Sequence, residues 1–235
     1  MKAGIIAAGQ GERLARAGVH GPKPLVRVGG LPLIAHTLNG IRAAGIAEVA
    51  CIINEDSAAV AAYCHAQAPD LSFTFVHRST PSSMESLFAL APHLDGESFL
   101  LLTVDAIIAP AAVGAFARAA AERADADGVL ALNDFVDDEK PLRVRCDNNG
   151  RITAIGAAAA DSPLITAGFY TLRPAIFAEI EAARAAGLSA LRQFLGHLIA
   201  RGYRLYGQPV PKCVDVDRAE DIVTAEAFIR SGYTA

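Results

Sequence analysis

Short apolar runs alternate with longer amphipathic stretches over the first 135 residues. The stretches with helical spacing lie near 31–45, 56–67, 83–94 and 110–124. Strands that are apolar throughout and separated by helices are typical of a parallel sheet covered on both faces. The pattern therefore predicts an α/β fold with a mostly parallel sheet flanked by helices. The predicted strands are KAGIIAA, EVACIIN, LSFTFVH, SFLLLTV and DGVLALN.

The pattern changes after about residue 135. PLRVRCDNNGRITAIG predicts a small antiparallel hairpin that turns at Asn149-Gly150. A strand, LITAGFYTL, then precedes two helical runs at 173–186 and 189–202, followed by short strands in YRLYGQPV and VDVD. RAEDIVTAEAFIR predicts an amphipathic closing helix. Because no linker interrupts the pattern, we expect one Rossmann-like α/β domain over 1–235.

Composition and charge limit the possible functions. Hydrophobic residues make up 52% of the chain and the net charge is −4, which favours a sizeable core and argues against a nucleic-acid binder. The polar Asp105 interrupts the longest apolar stretch, from Ser98, which favours a strand, a loop and a helix over a membrane span. The four cysteines form no C-x-x-C pair, which indicates reduced thiols and a cytoplasmic protein. Residues 2–27 carry five cationic side chains against one carboxylate, Glu12, and this suits a small anionic ligand: Lys2, Arg13, Arg16, Lys23 and Arg27.

The stretch AAGQGERL, Ala7 to Leu14, carries the most chemistry in this basic segment. Leu14 stands where a dinucleotide-binding fingerprint needs glycine or alanine, and Lys23 is followed by proline, unlike the lysine of a P-loop. Glycines nevertheless let backbone N–H groups approach a phosphate, while Arg13 and Lys23 add positive charge. A glycine-rich turn with surface charges is the alternative interpretation.

Together with KPLVRVGGLPLIAHTL, this stretch resembles the nucleotidyltransferases that make nucleotide sugars and related compounds. STPSSMESLFAL, LLLTVD, ITAGFYTLRPAIF and VDVDRAEDIVTAE are similar to later parts of the family in the same order. The closing stretch most resembles the inositol-phosphate and choline-phosphate cytidylyltransferase branches. The resemblance implies a triphosphate cradle, base and ribose contacts, and magnesium ligands. The cradle comprises Ala7, Ala8, Gly9, Gly11, Arg13 and Lys23, the base and ribose contacts are Ser82 and Ser83, and the magnesium ligands are Asp105, Asp215 and Asp217.

The reaction that the resemblance implies is magnesium-dependent nucleotidyl transfer. A phosphate oxygen of a sugar, alditol or amino-alcohol phosphate attacks the α-phosphorus of a nucleoside triphosphate, and pyrophosphate leaves. Arg13, Lys23 and Asp105 are the expected catalytic groups. We expect residues 1–134 to bind mainly the nucleotide, 135–212 the acceptor, and 213–235 to supply metal aspartates and the closing helix. The protein would act as a monomer or homodimer, with no nucleic acid or membrane as partner.

The metal prediction depends on the geometry of the VDVD segment. Asp215 and Asp217 are spaced i, i+2, so on a strand both carboxylates point to one face, where they and Asp105 would share one ion. Without the ion their repulsion predicts that removing any one carboxylate stabilises the protein. The alternative role for Asp217 is to cap the last helix. Ser82 and Ser83 likewise have an alternative role, as caps of the helix predicted near 83–94.

One departure from the family concerns the acceptor. Many members of the family that the chain resembles carry a second lysine before the sugar-side strand, which contacts the sugar phosphate. Ala157 and its neighbours stand there in this chain. Lys140, Arg143 and Lys212 are either substitutes or surface residues. Three other functions remain open: a molybdopterin-type cofactor nucleotidyltransferase, a glycosyltransferase, and a non-catalytic regulatory homologue. A glycosyltransferase should carry a D-x-D motif near the middle of the sequence, where the strand instead ends in T-V-D.

Overall fold

The computed structural model describes residues 1–135 and 141–234. Its elements follow the predicted alternation. The strands are β1 Lys2–Ala7, β2 Arg27–Val28, β3 Leu31–Pro32, β4 Glu48–Ile53, β5 Ser72–His77, β6 Phe99–Thr103, β7 Ala106–Ile107, β8 Gly128–Asn133, β9 Val144–Cys146, β10 Ile152–Ile155, β11 Ile165–Leu172, β12 Leu205–Pro209 and β13 Val214–Asp215. The α-helices are α1 Glu12–Arg16, α2 Leu33–Ala43, α3 Ala58–Gln67, α4 Ser83–Leu90, α5 Pro110–Ala121, α6 Ile180–Ala185, α7 Leu191–Ala200 and α8 Ala219–Arg230.

Seven of these strands form the central sheet, in the order β12-β8-β11-β6-β1-β4-β5. Neighbouring strands are parallel except at β11, which runs antiparallel to both β6 and β8. The prediction of a mostly parallel sheet is confirmed. The strand predicted in LITAGFYTL lies in the middle of this sheet, so the first and second parts of the chain share one sheet.

Helices pack on both faces of the sheet and bury two apolar clusters. One cluster includes apolar residues of α2, α3, α5 and α8, and the other includes those of α4, α6 and α7. The contact between α2 and α5 is unusually close, because a Cβ atom on Gly114 would lie 2.3 Å from the carbonyl oxygen of Ala43. Among the described residues, no helix combines the length and the apolar composition that crossing a membrane requires.

Three two-stranded sheets complete the fold. The predicted hairpin is confirmed: β9 and β10 pair antiparallel, and Gly150 adopts a φ of +79° in the turn between them. The carboxylate of Asp147 closes this turn by accepting from the N–H groups of Asn149 and Arg151. The other two small sheets pair β2 with β3 and β13 with β7.

Two predicted elements differ in extent from the observed ones. The helical run at 173–186 begins as a 3-10 helix, Pro174–Glu179, and becomes α-helical only in α6. The strand predicted in VDVD covers only Val214–Asp215, since its partner β7 has two residues. The chain then turns into α8, where the Asp221 carboxylate accepts from the backbone N–H groups of Asp217 and Arg218, at 2.9 and 2.7 Å. Asp217 therefore lies beyond the strand.

Candidate active site

A cavity of about 490 Å³ opens at the carboxyl ends of β1 and β6. In open α/β sheets this edge is where ligands bind. The loop after β1 contributes Ala8, Gly9 and Gln10 to its wall, and the loop after β6 contributes Val104 and Asp105. The predicted glycine loop, after β1, and the predicted strand-end aspartate, Asp105, thus line the same cavity.

Lys23 lies at the bottom of this space in a short 3-10 helix, Lys23–Leu25. Its Nζ donates to Oδ2 of Asp105 at 2.7 Å and to Oδ1 of Asp217 at 2.5 Å, and the residue is only 6% exposed. The glycine loop contacts the lysine closely, because a Cβ atom on Gly11 would lie 3.0 Å from Lys23 Cβ. Gly11 also has a φ of +64°, a conformation that favours glycine.

The charges of this trio support one another. Burial disfavours the Lys23 ammonium, but Asp105 and Asp217 outweigh that effect and raise the lysine pKa. Burial also disfavours the Asp105 carboxylate, but the Lys23 ammonium outweighs it and lowers the pKa of Asp105. Lys23 and Asp105 therefore both carry charge at neutral pH. The Lys23 ammonium lies between Asp105 and Asp217 and offsets the repulsion expected between these carboxylates in the metal-free protein.

β13 brings the closing segment to the same place. It pairs with β7, and the N–H of Val216 donates to the carbonyl oxygen of Asp105 at 3.0 Å. Val214 and Val216 are buried. Asp215 and Asp217 both line the cavity, although only Asp215 belongs to the strand.

The side chains of Asp105, Asp215 and Asp217 supply the hard oxygen donors that Mg²⁺ prefers, so the donor chemistry fits the predicted ion. Within residues 1–135 and 141–234, however, no three His, Cys, Asp or Glu side chains are grouped closely enough to hold a metal. Lys23 occupies the space between Asp105 and Asp217 instead. The shared magnesium site remains a prediction.

The remaining predicted residues divide into two groups. Ser82 and Ser83 line the cavity, and the Ser82 hydroxyl also accepts from the Glu85 N–H at 3.3 Å, so it caps α4. Ala7, Gly11 and Arg13 do not line the cavity: Ala7 is buried in the core, and Gly11 supports Lys23. Arg13 is exposed and contacts the site indirectly, through an ion pair of 3.3 Å with Asp217.

The suggested substitutes for the second lysine do not line the cavity among the residues that the structure describes. Arg143 donates to the carbonyl oxygen of Ser162 at 2.5 Å. The Lys212 ammonium lies 3.8 Å from the ring centre of Phe135. Lys140 falls outside the described residues.

Several polar residues of the cavity wall were not predicted from the sequence. Asn133, Thr166, Tyr170 and Arg192 line the cavity from β8, β11 and α7. They belong to no motif: Tyr170 lies within a predicted strand, and Arg192 in the first turn of a predicted helical run. Only the topology, which inserts β11 between β6 and β8, brings these positions next to Asp105.

A glycine in β11 supports the Asp105 loop from this side. Gly168 has a φ of +79°, where the pairing of β11 with β8 shifts register, and its carbonyl oxygen accepts from the Thr103 hydroxyl at 3.2 Å. A Cβ atom on Gly168 would lie 3.0 Å from that hydroxyl and 3.1 Å from Ala106 Cβ. Thr103 in turn hydrogen-bonds Asp105, which helps to lower the pKa of that carboxyl.

Three curated proteins illustrate the similarity of this chain to known enzymes. It is 30% identical over 227 residues to CMP-5'-(3-aminopropyl)phosphonate synthase of Streptomyces rubellomurinus, covering 88% of this chain and 32% of that protein. It is 27% identical over 182 residues to a UTP–glucose-1-phosphate uridylyltransferase of Haloferax volcanii, covering 75% and 74%. It is 28% identical over 239 residues to a bifunctional IPC transferase and DIPP synthase of Rubrobacter xylanophilus, covering 97% and 51%. The chain thus spans about a third of the first protein and half of the last.

Solved structures share the whole fold at low sequence identity. The inositol-1-phosphate CTP transferase from T. maritima superposes with a TM-score of 0.84 at 17% identity, over 100% of this chain and 98% of that one. A UDP-glucose pyrophosphorylase complexed with UDP-glucose gives a TM-score of 0.81 at 17% identity, over 98% of each chain. These likenesses confirm the predicted fold. At the level of sequence, residues 3–201 match the family described as MobA-like NTP transferase domain. Because that match covers most of the chain, the protein belongs to the MobA-like NTP transferase family.

Proposed function

We propose that the chain catalyses magnesium-dependent transfer of a nucleotidyl group from a nucleoside triphosphate to a small molecule that carries a phosphate or phosphonate. The observation that carries this proposal is the position of Lys23. It is the most deeply buried cation of the cavity, it lies against the glycine loop, and it contacts the strand-end Asp105. A buried ammonium beside a loop of backbone N–H groups suits a triphosphate.

The transfer requires positioning more than acid–base chemistry. An oxygen of the acceptor's phosphate or phosphonate is already anionic, so it attacks the α-phosphorus without a strong general base. A new oxygen–phosphorus bond forms, the bond from the α-phosphorus to the bridging oxygen breaks, and pyrophosphate leaves with that electron pair. We assign Lys23 and the Ala8–Gly9 backbone to binding of the triphosphate. Arg13 would add a further positive charge at the solvent-exposed edge of this site.

Asp105, with Asp215 and Asp217, would hold the magnesium ion. Bound there, the ion would neutralise phosphate charge during transfer. The Lys23 ammonium would thus contact carboxylate oxygens in the free protein and phosphate oxygens in the complex.

The relatives suggest the order in which substrates are tested. The names of the relatives and of the solved structures refer to CMP, CTP, UTP and UDP, with aminopropylphosphonate, glucose 1-phosphate and inositol 1-phosphate as acceptors or product parts. We infer that a pyrimidine nucleotide, CTP first, is the donor. We further propose that the protein works in the cytoplasm as a monomer or homodimer; its four cysteines, all unpaired, are compatible with a reducing compartment.

A pyrophosphate-release assay tests the proposal. CTP, UTP, ATP and GTP are each combined with glucose 1-phosphate, myo-inositol 1-phosphate and 3-aminopropylphosphonate, with Mg²⁺ or with EDTA. We expect release that requires Mg²⁺, an acceptor and one preferred base, and that falls at least about a hundredfold in Asp105→Asn. Lys2→Ala, which removes a cation of the same basic segment outside the cavity, is the matched control and should retain full activity. Absence of acceptor-dependent release over the whole panel would count against the function.

A further inference from the structure

The cavity has a second cation, on an element other than the glycine loop. Among its described lining residues, only Lys23 and Arg192 carry a permanent positive charge. Lys23 lies with Asp105 and Asp217 at the nucleotide end. We propose that Arg192 binds the anionic phosphate or phosphonate group of the acceptor, and this assignment rests on the proposed nucleotidyl transfer.

The chemistry of the reaction favours a cation near the anionic group of the acceptor. Acceptor and triphosphate are both anionic, so holding them in contact without a counter-charge on the acceptor is unfavourable. An arginine is well suited, since its planar fork donates two parallel hydrogen bonds to a phosphate. The exposed side chain of Arg192 lies at the surface of the cavity, where a ligand can reach it.

Tyr170 lines the cavity wall together with Arg192. The tyrosine is 5% exposed, and Asp105 and Asp215 line the same cavity. An acceptor anion at Arg192 would therefore lie near the predicted site of transfer.

The N-terminus of α7 favours an anion at the same place. Arg192 belongs to the first turn of this helix, whose N-cap residue, Ala190, offers no side-chain acceptor to the first N–H groups. Ala190 also lines the cavity. The helix N-terminus therefore adds partial positive charge to that of the guanidinium.

Other cations of the acceptor half do not reach the cavity wall among the described residues. Arg143 donates to Ser162, and Lys212 packs on Phe135. Arg184 pairs with the carboxylates of Glu85 and Glu181. Arg192 does line the cavity. It therefore takes the role of the second lysine, which is missing near Ala157 in this sequence, in binding the acceptor's phosphate or phosphonate.

Steady-state kinetics with variants at position 192 test the assignment. In Arg192→Gln we expect the KM for the acceptor to rise about 10- to 100-fold, while the KM for the nucleotide changes less than about threefold. Arg192→Lys keeps the charge without the fork and should show an intermediate rise. Arg201→Gln is the matched control: it removes the same charge from the other end of α7, where Arg201 pairs with Glu179. Melting temperatures of all variants establish that they are folded.

Two results would overturn the assignment: an acceptor KM within twofold of wild type in folded Arg192→Gln, or equal rises in the KM values of acceptor and nucleotide. A binding measurement separates this assignment from the proposed function. Calorimetric titration with methylphosphonate should give weaker binding to Arg192→Gln than to wild type or Arg201→Gln. If wild type releases no pyrophosphate with any pair but this difference remains, the anion site stands and the reaction is wrong. If binding is equal in all three proteins, the anion site is wrong.

Discussion

Replacing Lys23 by alanine should destabilise the protein as well as inactivate it. The substitution removes the ammonium that lies 2.7 Å from Asp105 and 2.5 Å from Asp217, and leaves both carboxylates facing each other. From the sequence alone, a lost phosphate contact predicts a loss of about a hundredfold in turnover with little effect on folding. The structure adds a loss of stability that is independent of any ligand.

The magnitude follows from the burial of the three groups. Breaking a buried ion pair by removing one partner costs about 3–5 kcal/mol. The Asp105 side chain is 27% exposed and that of Asp217 is 47% exposed, so water screens part of the repulsion that remains. We therefore expect a loss of about 2–3 kcal/mol in the free energy of unfolding at pH 7, or a decrease in Tm of about 4–12 °C.

The loss should depend on pH in a defined direction. In wild type the pKa of Asp105 is lowered, so its stabilising contribution is present above its unfolded-state pKa, about 3.9, and is lost as the pH falls through the folded-state value. In Lys23→Ala the contribution of the ammonium is lost, and burial, the largest influence on this carboxyl, raises its pKa against the hydrogen bonds from Thr103 and the backbone, so the charged form is penalised until the carboxyl is protonated. The difference in stability between the two proteins should therefore shrink as the pH falls from 7 to about 4.

Urea unfolding of the ligand-free proteins at pH 7, 5.5 and 4 measures this difference. Lys2→Ala is the matched control, because it removes the same charge from an exposed pair with Asp95. Its effect should be much smaller and nearly independent of pH over this range. A Lys23→Ala variant as stable as wild type at pH 7, or equally destabilised at pH 7 and pH 4, would refute the role of Lys23 as the counter-ion of the aspartates.

Four further predictions concern the site and the packing around it. Asp105→Asn should reduce turnover strongly without stabilising the free protein, since Lys23 loses the more deeply buried of its two partners; kcat and urea unfolding measure both effects. Asp215→Asn should reduce turnover with partial recovery in excess Mn²⁺, and the same loss at all metal concentrations would contradict a metal-binding role. Gly168→Ala should lower Tm and kcat together, because the methyl group displaces the Thr103 hydroxyl that supports the Asp105 loop. Gly114→Ala, which forces α5 away from α2, should cost about 1–3 kcal/mol in urea unfolding but leave KM values unchanged in the folded protein.

The sequence predicts the elements of this fold well because most strands of the central sheet are apolar runs and most helices have an apolar face. It does not predict which strands are neighbours. LITAGFYTL is recognisable as a strand, yet nothing local to it indicates that it runs antiparallel between β6 and β8. For VDVD the length of the strand is what the sequence does not predict. Its alternation suggests four residues, but the partner strand has only two and limits it to Val214–Asp215.

The same distinction applies to the candidate site. The glycine loop, Lys23 and Asp105 are predictable from motifs, because backbone approach and charge at fixed spacing have a local signature. Arg192 has none, since a lone arginine in a helical run resembles any surface residue. The ion pairs of Lys23 depend on contacts between positions 82 and 194 residues apart, which local patterns do not encode.

The central position of β11 has a consequence for synthesis of the protein on the ribosome. Until residues 165–172 emerge, β6 and β8 lack the strand that lies between them, and the apolar edge of β6 remains unpaired. Lys23 and Asp105 emerge early. Asp217, the second ion-pair partner of Lys23, emerges some 110 residues after Asp105. Nascent polypeptides that end before β11 should therefore present an exposed strand edge, the kind of surface that chaperones bind and that aggregates.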